Sequence, residues 1–85
     1  LKSYEEAEAE LDDLLKENPN NVDLRNELAL SLAEQQDGTK QKRAYQIAQE
    51  NFNLNRNSPD LMATFGWVNY RVGQMENAEK LINTA

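Results

Sequence analysis

Apolar residues recur at every third or fourth position along most of the chain, and the strict alternation typical of a β-strand is absent. The first such segment follows Ser3, a helix-capping residue type, and ends at Asn18, where the run Asn-Pro-Asn-Asn interrupts it. The spacing therefore predicts an amphipathic first helix with one buried face. Its apolar stripe consists of Tyr4, Ala7, Leu11, Leu14 and Leu15.

The same spacing predicts a second and a third helix. The second begins at Val22 and stops at Asp37-Gly38, a dipeptide typical of turns. Thr39 is then expected to cap the third helix, which ends before Ser58. The apolar stripe of the second helix consists of Leu24, Leu28, Ala29, Leu32 and Ala33. That of the third consists of Ala44, Ile47, Ala48 and Phe52.

Two more helices complete the pattern. Ser58 is expected to cap the fourth, with Pro59 in its first turn, where a missing N–H group is tolerated. Gly73 is expected to end the fourth helix in the left-handed conformation, and the fifth runs from Met75 to Ala85. Because the connections are short, neighbouring helices should pack antiparallel.

Composition excludes several classes of function. The 85 residues include neither Cys nor His, so the chain offers no disulfide, thiolate nucleophile, imidazole base or zinc cluster. The net charge of −6 opposes a nucleic-acid-binding surface. No apolar run approaches the roughly 20 residues that span a bilayer. We therefore expect a noncatalytic chain without cofactor, metal, nucleic-acid partner or membrane insertion.

Three polar clusters suggest other chemistry, and each has a simpler explanation. Carboxylates such as Glu6 and Glu10 share a helix face, but a solvated face explains them better than catalysis. The loop ENPNNVD lacks the spacing of an EF-hand calcium site. Lys40, Lys42 and Arg43 form a basic cluster in the inserted turn between the second and third predicted helices. A mobile solvated loop is favoured there over contact with an acidic partner.

An internal period relates the helices to one another. Ala44 and Ala78 are 34 residues apart, and each is followed four positions later by an apolar residue. Gly66 precedes Ala78 by 12 residues, and Ala29 holds the matching place before Ala44 once three inserted residues are allowed. Together with Pro19, this phasing resembles the tetratricopeptide repeat (TPR), a helix-turn-helix unit of 34 residues.

The resemblance is most specific in the last unit. Met62, Phe65 and Gly66 take the W, L and G places of the TPR signature, and Ala78 with Ile82 takes the A-x3-F places. The segment from residue 64 to residue 85 looks especially like the repeats of bacterial TPR proteins. The resemblance implies an all-α fold of about five helices, arranged as a right-handed α-solenoid of antiparallel helix pairs.

The TPR resemblance also implies a domain organisation. Residues 1–85 would form a single TPR-like domain, in which 1–21 is the second helix of a partial repeat. Residues 22–58 form a full repeat with a short insertion, and residues 59–85 form a nearly complete repeat. Since the chain begins without Met, we expect it to be a segment of a longer array.

Glycine inside a helix calls for an explanation, since it costs about 0.5 to 1 kcal/mol relative to alanine. Gly66 and Ala29 occupy equivalent places in successive units. We therefore expect both to lie where paired helices approach each other closely.

The TPR resemblance also implies a concave groove, formed by the first helices of successive units, across which a partner peptide or helix lies. Trp67 is its most informative residue, because tryptophan and arginine are enriched at interface hot spots. The alternative is that Trp67 packs on an adjacent helix. The implied groove consists of Asp23, Asn26, Glu27, Leu30, Glu34, Ala63, Thr64, Trp67, Tyr70 and Arg71.

The function implied by the resemblance is a protein–protein interaction module, part of a larger TPR scaffold. The alternative is a structural spacer or a self-association segment. In that case the first and last helices, with Leu14 and Leu15 at one end and Leu81 and Ile82 at the other, would expose apolar surface and form weak homo-oligomers. The expected compartment is the cytoplasm by default, with the bacterial periplasm as the alternative.

Overall fold

The computed structural model describes the backbone of residues 3–84 and the side chains of residues 3–74 and 76. In this part the chain forms four α-helices, which are α1 (Tyr4–Glu17), α2 (Val22–Ala33), α3 (Gly38–Leu54) and α4 (Pro59–Thr84). Each helix packs against the next along the chain, and α2 also contacts α4. The prediction of an all-α fold is confirmed, as a compact domain of four helices packed in sequence order.

Side-chain caps determine where α1 and α4 begin. Ser3 Oγ accepts a hydrogen bond from the backbone N–H of Glu6 at 3.1 Å. Ser58 Oγ accepts one from the backbone N–H of Leu61 at 3.3 Å, and Pro59 occupies the first turn of α4. Each bond satisfies a donor that the first helical turn leaves without a partner. Both predicted caps are confirmed.

The start of α3 differs from the prediction. Its cap is Asp37, whose carboxylate accepts a hydrogen bond from the backbone N–H of Lys40 at 3.1 Å, and not Thr39. Gly38 consequently belongs to α3, while α2 has already ended at Ala33. The physical reason is that the carboxylate of Asp37 lies three residues before a free N–H group, which is the spacing that an N-cap requires.

The predicted fifth helix is not separate from the fourth. α4 continues through Gly73 to Thr84, and Ala85 lies outside the described residues. No glycine in the described range has a positive φ, so Gly73 does not form the expected left-handed helix end. Strong helix formers such as Glu76 and Ala78 follow it, and they outweigh the cost of a single glycine.

The core lies mainly between α2 and α3. The small side chains of Ala29 and Ala33 on α2 and of Ala44 and Ala48 on α3 are buried there. Leu28, Leu32 and Val68 are the largest apolar side chains that are fully buried. The buried apolar cluster consists of Leu11 from α1, Leu28, Ala29, Leu32 and Ala33 from α2, Ala44, Ile47 and Ala48 from α3, and Val68 from α4.

Gly66 is exposed, and the prediction that it lies at a close helix contact is wrong. A Cβ atom added to it would meet no heavy atom of a neighbouring helix within 4 Å. The inward face of α4 carries Leu61, Thr64 and Val68, which are three to four residues apart and buried. Position 66 therefore points away from the core, whereas Ala29 is buried as expected.

Polar side chains of α3 hold both ends of α2. The buried amide of Asn51 donates to the carbonyl of Val22 at 3.3 Å and accepts from Arg25 Nε at 3.1 Å. At the other end, Gln41 Nε2 donates to the carbonyls of Ala33 at 3.1 Å and Gln35 at 3.2 Å. The end of α3 thus contacts the start of α2, and the start of α3 contacts the end of α2. These contacts show that the two helices are antiparallel.

The basic cluster lies on α3 and not in a mobile turn, so that expectation is corrected. Lys40 Nζ lies 3.0 Å from Glu8 Oε1, and Arg43 Nη2 lies 2.8 Å from Asp12 Oδ1, so both cations pair with α1. The hydrogen bond to Glu8 raises the pKa of Lys40 above its ordinary value of 10.5. The hydrogen bond to Asp12 likewise raises the pKa of Arg43.

Candidate functional site

An open groove of about 380 Å3 lies between α2 and α4. Its lining residues are three or four positions apart along each helix, and residues at this spacing share one helix face. We call it the α2–α4 groove. It is lined by Asn26 and Leu30 from α2 and by Asp60, Ala63, Thr64 and Trp67 from α4.

Trp67 faces the groove and is also attached to the neighbouring helix. Its side chain is exposed over 42% of its surface. Its Nε1 donates a hydrogen bond of 2.6 Å to Glu34 Oε1, just after the end of α2. Its ring centroid lies 5.6 Å from that of Tyr70, with the two planes tilted by 42°. Trp67 therefore both lines the groove and contacts the residue that follows α2, and its role in binding a partner stays a prediction.

Tyr70 extends the aromatic surface next to the groove. It is exposed over 56% of its surface, and its hydroxyl accepts a hydrogen bond from Gln74 Nε2 at 3.0 Å. Both aromatic residues thus have a polar atom fixed by the chain while much of each ring remains in contact with water. Such a pair provides a rigid apolar surface, and ordering it on binding costs little side-chain entropy.

Arg71 mainly stabilises the end of α2. Its Nε donates to the carbonyl of Ala33 at 3.3 Å, and its Nη2 donates to the carbonyl of Glu34 at 3.4 Å. The last turn of an α-helix leaves such carbonyls without partners inside the helix. Arg71 also lies 3.9 Å from the Glu34 carboxylate, and its Nη1 donates to Gln74. Most of its donors are therefore engaged within the chain.

The structure brings together most of the predicted groove residues. Asn26, Leu30, Ala63, Thr64 and Trp67 line the α2–α4 groove, although Thr64 is itself almost completely buried. Glu34, Tyr70 and Arg71 lie next to Trp67 and are linked to it or to each other by contacts.

Glu27 is placed elsewhere, and Asp60 is an addition. Glu27 lines a second groove between α1 and α2, because one residue of helix rotates a side chain by about 100° relative to Asn26. Asp60 stands three and four residues before Ala63 and Thr64, so the same helical spacing could have identified it. Asp23 is exposed one turn before Asn26 and Glu27.

The second groove, which we call the α1–α2 groove, has a volume of about 400 Å3 and a more aliphatic lining. Leu14 is exposed over 47% of its surface there. Leu30 borders both grooves. The α1–α2 groove is lined by Ala7, Glu10, Leu11, Leu14, Leu24, Glu27, Leu30 and Ser31.

The described residues contain neither a metal-ion site nor a membrane-spanning helix. There, no three acidic side chains are grouped closely enough to hold a metal ion. None of the helices, over their described lengths, is both long enough and apolar enough to cross a bilayer.

Comparison of the chain with protein families, with curated proteins and with solved structures gives no match. The resemblance to TPR proteins accordingly rests on the phasing of residues within this chain alone. What the groove does must be argued from its own geometry and chemistry.

Proposed function

We propose that this chain is a TPR-like repeat segment whose α2–α4 groove binds a peptide or helix of a partner protein, without catalysing a reaction. The 34-residue phasing supports the repeat, and so does the contact of α2 with α4 in addition to the contacts between successive helices. Contacts between alternate helices are what stacked helix pairs require. On this proposal, the right-handed solenoid would extend through further repeats of a longer scaffold.

The observation that carries the binding role is the state of Trp67. Its ring is half-exposed in an open groove, yet its indole N–H is held by Glu34 at 2.6 Å. A tryptophan surface left in water is unfavourable, and covering it with a partner releases that cost. Because the ring is already oriented, binding loses little additional conformational freedom.

The shape of the groove favours binding over catalysis. It is open along its length, and apolar, amide and hydroxyl groups make up its lining except for Asp60. Acid–base chemistry generally needs a positioned pair of groups in a site from which water is excluded. An open groove between two helices instead suits an extended or helical segment.

The experiment that tests this proposal selects peptides from a random displayed dodecapeptide library on the wild-type chain. The affinity of each selected peptide is then measured by calorimetry. Trp67→Ala should weaken binding by about 2 kcal/mol or more, as at an interface hot spot. Circular dichroism should show that its helix content is unchanged.

Tyr4→Ala is the matched control, because Tyr4 is an exposed aromatic residue on α1, outside the α2–α4 groove. It should bind the selected peptides as well as the wild type does. Peptides that bind Trp67→Ala and the wild type equally would contradict the groove. A loss of helicity in Trp67→Ala would make Trp67 a structural residue.

A self-association segment is the second candidate function. The observation in its favour is the α1–α2 groove, where Leu14 is 47% exposed. Sedimentation velocity over a wide concentration range should then show dimers that Leu14→Glu abolishes. The other expected surface, at Leu81 and Ile82, involves side chains outside the described part.

A further inference from the structure

We infer that the segment bound in the α2–α4 groove is basic, with Lys or Arg side chains that lie over the exposed rings and pair with carboxylates at the rim. This inference rests on the proposed function, because it specifies the chemistry of the partner for the same groove. It comes from the distribution of charge around the groove and from the aromatic pair, Trp67 and Tyr70.

The surface around the groove is acidic. Asp60 is part of its lining, and Asp23 is exposed on α2 one turn before Asn26, which also lines the groove. Among the described side chains, neither of these two carboxylates forms an ion pair. Together they produce a negative potential, which attracts cations and repels acidic segments.

The cations of the chain do not neutralise this surface. Arg71 is the basic side chain closest to Trp67 in sequence on α4, and its charge is offset by the Glu34 carboxylate at 3.9 Å, while its donors are occupied by the carbonyls of Ala33 and Glu34. Lys40 and Arg43 pair with α1 through Glu8 and Asp12. The described lining of the groove contains no basic side chain, so the partner would supply the positive charge.

The aromatic pair suits the same ligand. A guanidinium or ammonium group within about 6 Å of a ring centroid is attracted by the ring quadrupole, most strongly over tryptophan. Trp67 and Tyr70 present rings that are half-exposed and 5.6 Å apart. Elsewhere in this chain Arg56 lies 5.7 Å from the Phe52 ring centroid, which is the same type of contact.

The apolar part of the lining accommodates the rest of such side chains. Leu30 and Ala63 lie beside Trp67 in the groove. Lys and Arg have aliphatic stems that cover apolar surface while their charged ends remain near water or a carboxylate. A basic side chain would thus use both the aliphatic and the acidic parts of this groove.

The test uses the random dodecapeptide library, with wild-type chain as bait and the Ala63→Gln variant for counter-selection. Ala63 is exposed in the groove lining, so the longer, neutral glutamine side chain of this variant fills the groove without changing the core. The surviving peptides should be enriched in Lys and Arg. Binding should change the fluorescence of Trp67, which is the single tryptophan of the chain.

Charge variants then show whether the attraction is local. Asp60→Asn should weaken binding of a selected peptide about threefold, and Asp60→Lys about tenfold. Glu17→Lys alters net charge as much as Asp60→Lys, but it lies in the last turn of α1, outside the lining of both grooves. It should change the affinity less than about twofold, since screening limits interactions between distant surface charges.

The outcomes separate this inference from the proposed function. Neutral or acidic peptides that depend on Trp67 would overturn the basic partner but support binding in the groove. Equal losses in Glu17→Lys and Asp60→Lys would reveal unspecific attraction to an acidic protein and would also overturn the inference. If no peptide depends on Trp67, the groove function itself fails, and the inference fails with it.

Discussion

α4 is attached to α2 and α3 mainly by apolar contacts, whereas the attachment of α1 depends to a greater extent on ion pairs. From α4, Leu61 and Val68 are buried, and the Phe65 ring lies 5.6 Å from Tyr45 and 5.5 Å from Phe52. α1 buries Leu11, and it packs against α2 alone. Its further links to α3 are two ion pairs.

This difference in contacts determines how the walls of each groove beside α2 are held in place. The α2–α4 groove has walls fixed by buried side chains, so its shape should depend little on salt or pH. The α1–α2 groove has one wall held partly by ion pairs that remain in contact with solvent, and such pairs are weakened by salt and individually contribute little. Local unfolding should accordingly involve α1 before it involves α2, α3 or the first half of α4.

The largest expected effect is that of Phe65→Ala. It removes the ring that packs between Tyr45 and Phe52, and we expect a loss of about 3 kcal/mol in the free energy of unfolding. Urea denaturation followed by circular dichroism measures it. Met62→Ala, at an exposed apolar position of the same helix, should cost less than about 0.5 kcal/mol. Similar losses in the two variants would contradict the apolar attachment of α4.

Gln41→Ala should have the next largest effect on stability, because it weakens the attachment of α3 to the end of α2. Gln41 is buried, and its amide satisfies the carbonyls of Ala33 and Gln35. We expect a loss of about 1.5 kcal/mol, because these acceptors would lose a buried donor. Gln49→Ala, on the exposed face of α3, is the control and should be nearly neutral. Hydrogen exchange should locate the change at the end of α2, and unaltered exchange there would refute this role.

Gly66→Ala should stabilise the chain by about 0.5 to 1 kcal/mol, because an exposed helical glycine costs about that much relative to alanine. The added methyl group meets no heavy atom of a neighbouring helix within 4 Å. Thermal denaturation measures the gain, and it should not alter peptide binding. A loss of stability would show that another helix does approach Gly66 closely, as the repeat pattern had suggested.

The smallest effect is the pH dependence of the attachment of α1. The pKa of Lys40 is raised by its hydrogen bond to Glu8 and by the nearby charges of Glu5 and Asp37, which outweigh the opposing effect of desolvation. A raised pKa means that the ion pair contributes fully below the ordinary value of 10.5 and is lost as the pH rises through the folded-state value.

The measurement compares the melting temperatures of wild type and Lys40→Gln between pH 7 and pH 12, so that tyrosine ionisation cancels in the difference. The advantage of the wild type should be constant at the lower values and should disappear at the highest ones. High salt should also reduce it. An advantage that persists at the alkaline end would mean that Lys40 acts through packing and not through charge.

Much of the helix pattern was predictable, because caps and breakers act over a few residues. Ser3, Pro19 and Ser58 mark boundaries at which the structure begins or ends a helix. Thr39 was the wrong cap, since Asp37 and Thr39 are both suitable residue types and lie only two positions apart. Gly73 was the wrong helix end, since a glycine stops a helix only where the following residues do not continue it.

The faces of α2 and α4 that line the groove were predictable to within about one residue of helix rotation. Residues at spacings of three and four, from Asn26 to Leu30 and from Ala63 to Trp67, do share a surface. Glu27 was placed one residue out of register. A helix face estimated from sequence has an uncertainty of about one residue, and that rotation is enough to move a side chain into the adjacent groove.

The helical character of the chain, the start of most helices and the residues of their apolar stripes can all be read from the amino-acid pattern. These features depend on interactions between residues close together along the chain. The exposure of Gly66, the hydrogen bonds of Arg71 to the carbonyls at the end of α2, and the anchored but accessible position of Trp67 follow from helix packing. Those outcomes depend on how one helix is rotated and placed against another, and this is decided by contacts between residues about 33 to 38 positions apart.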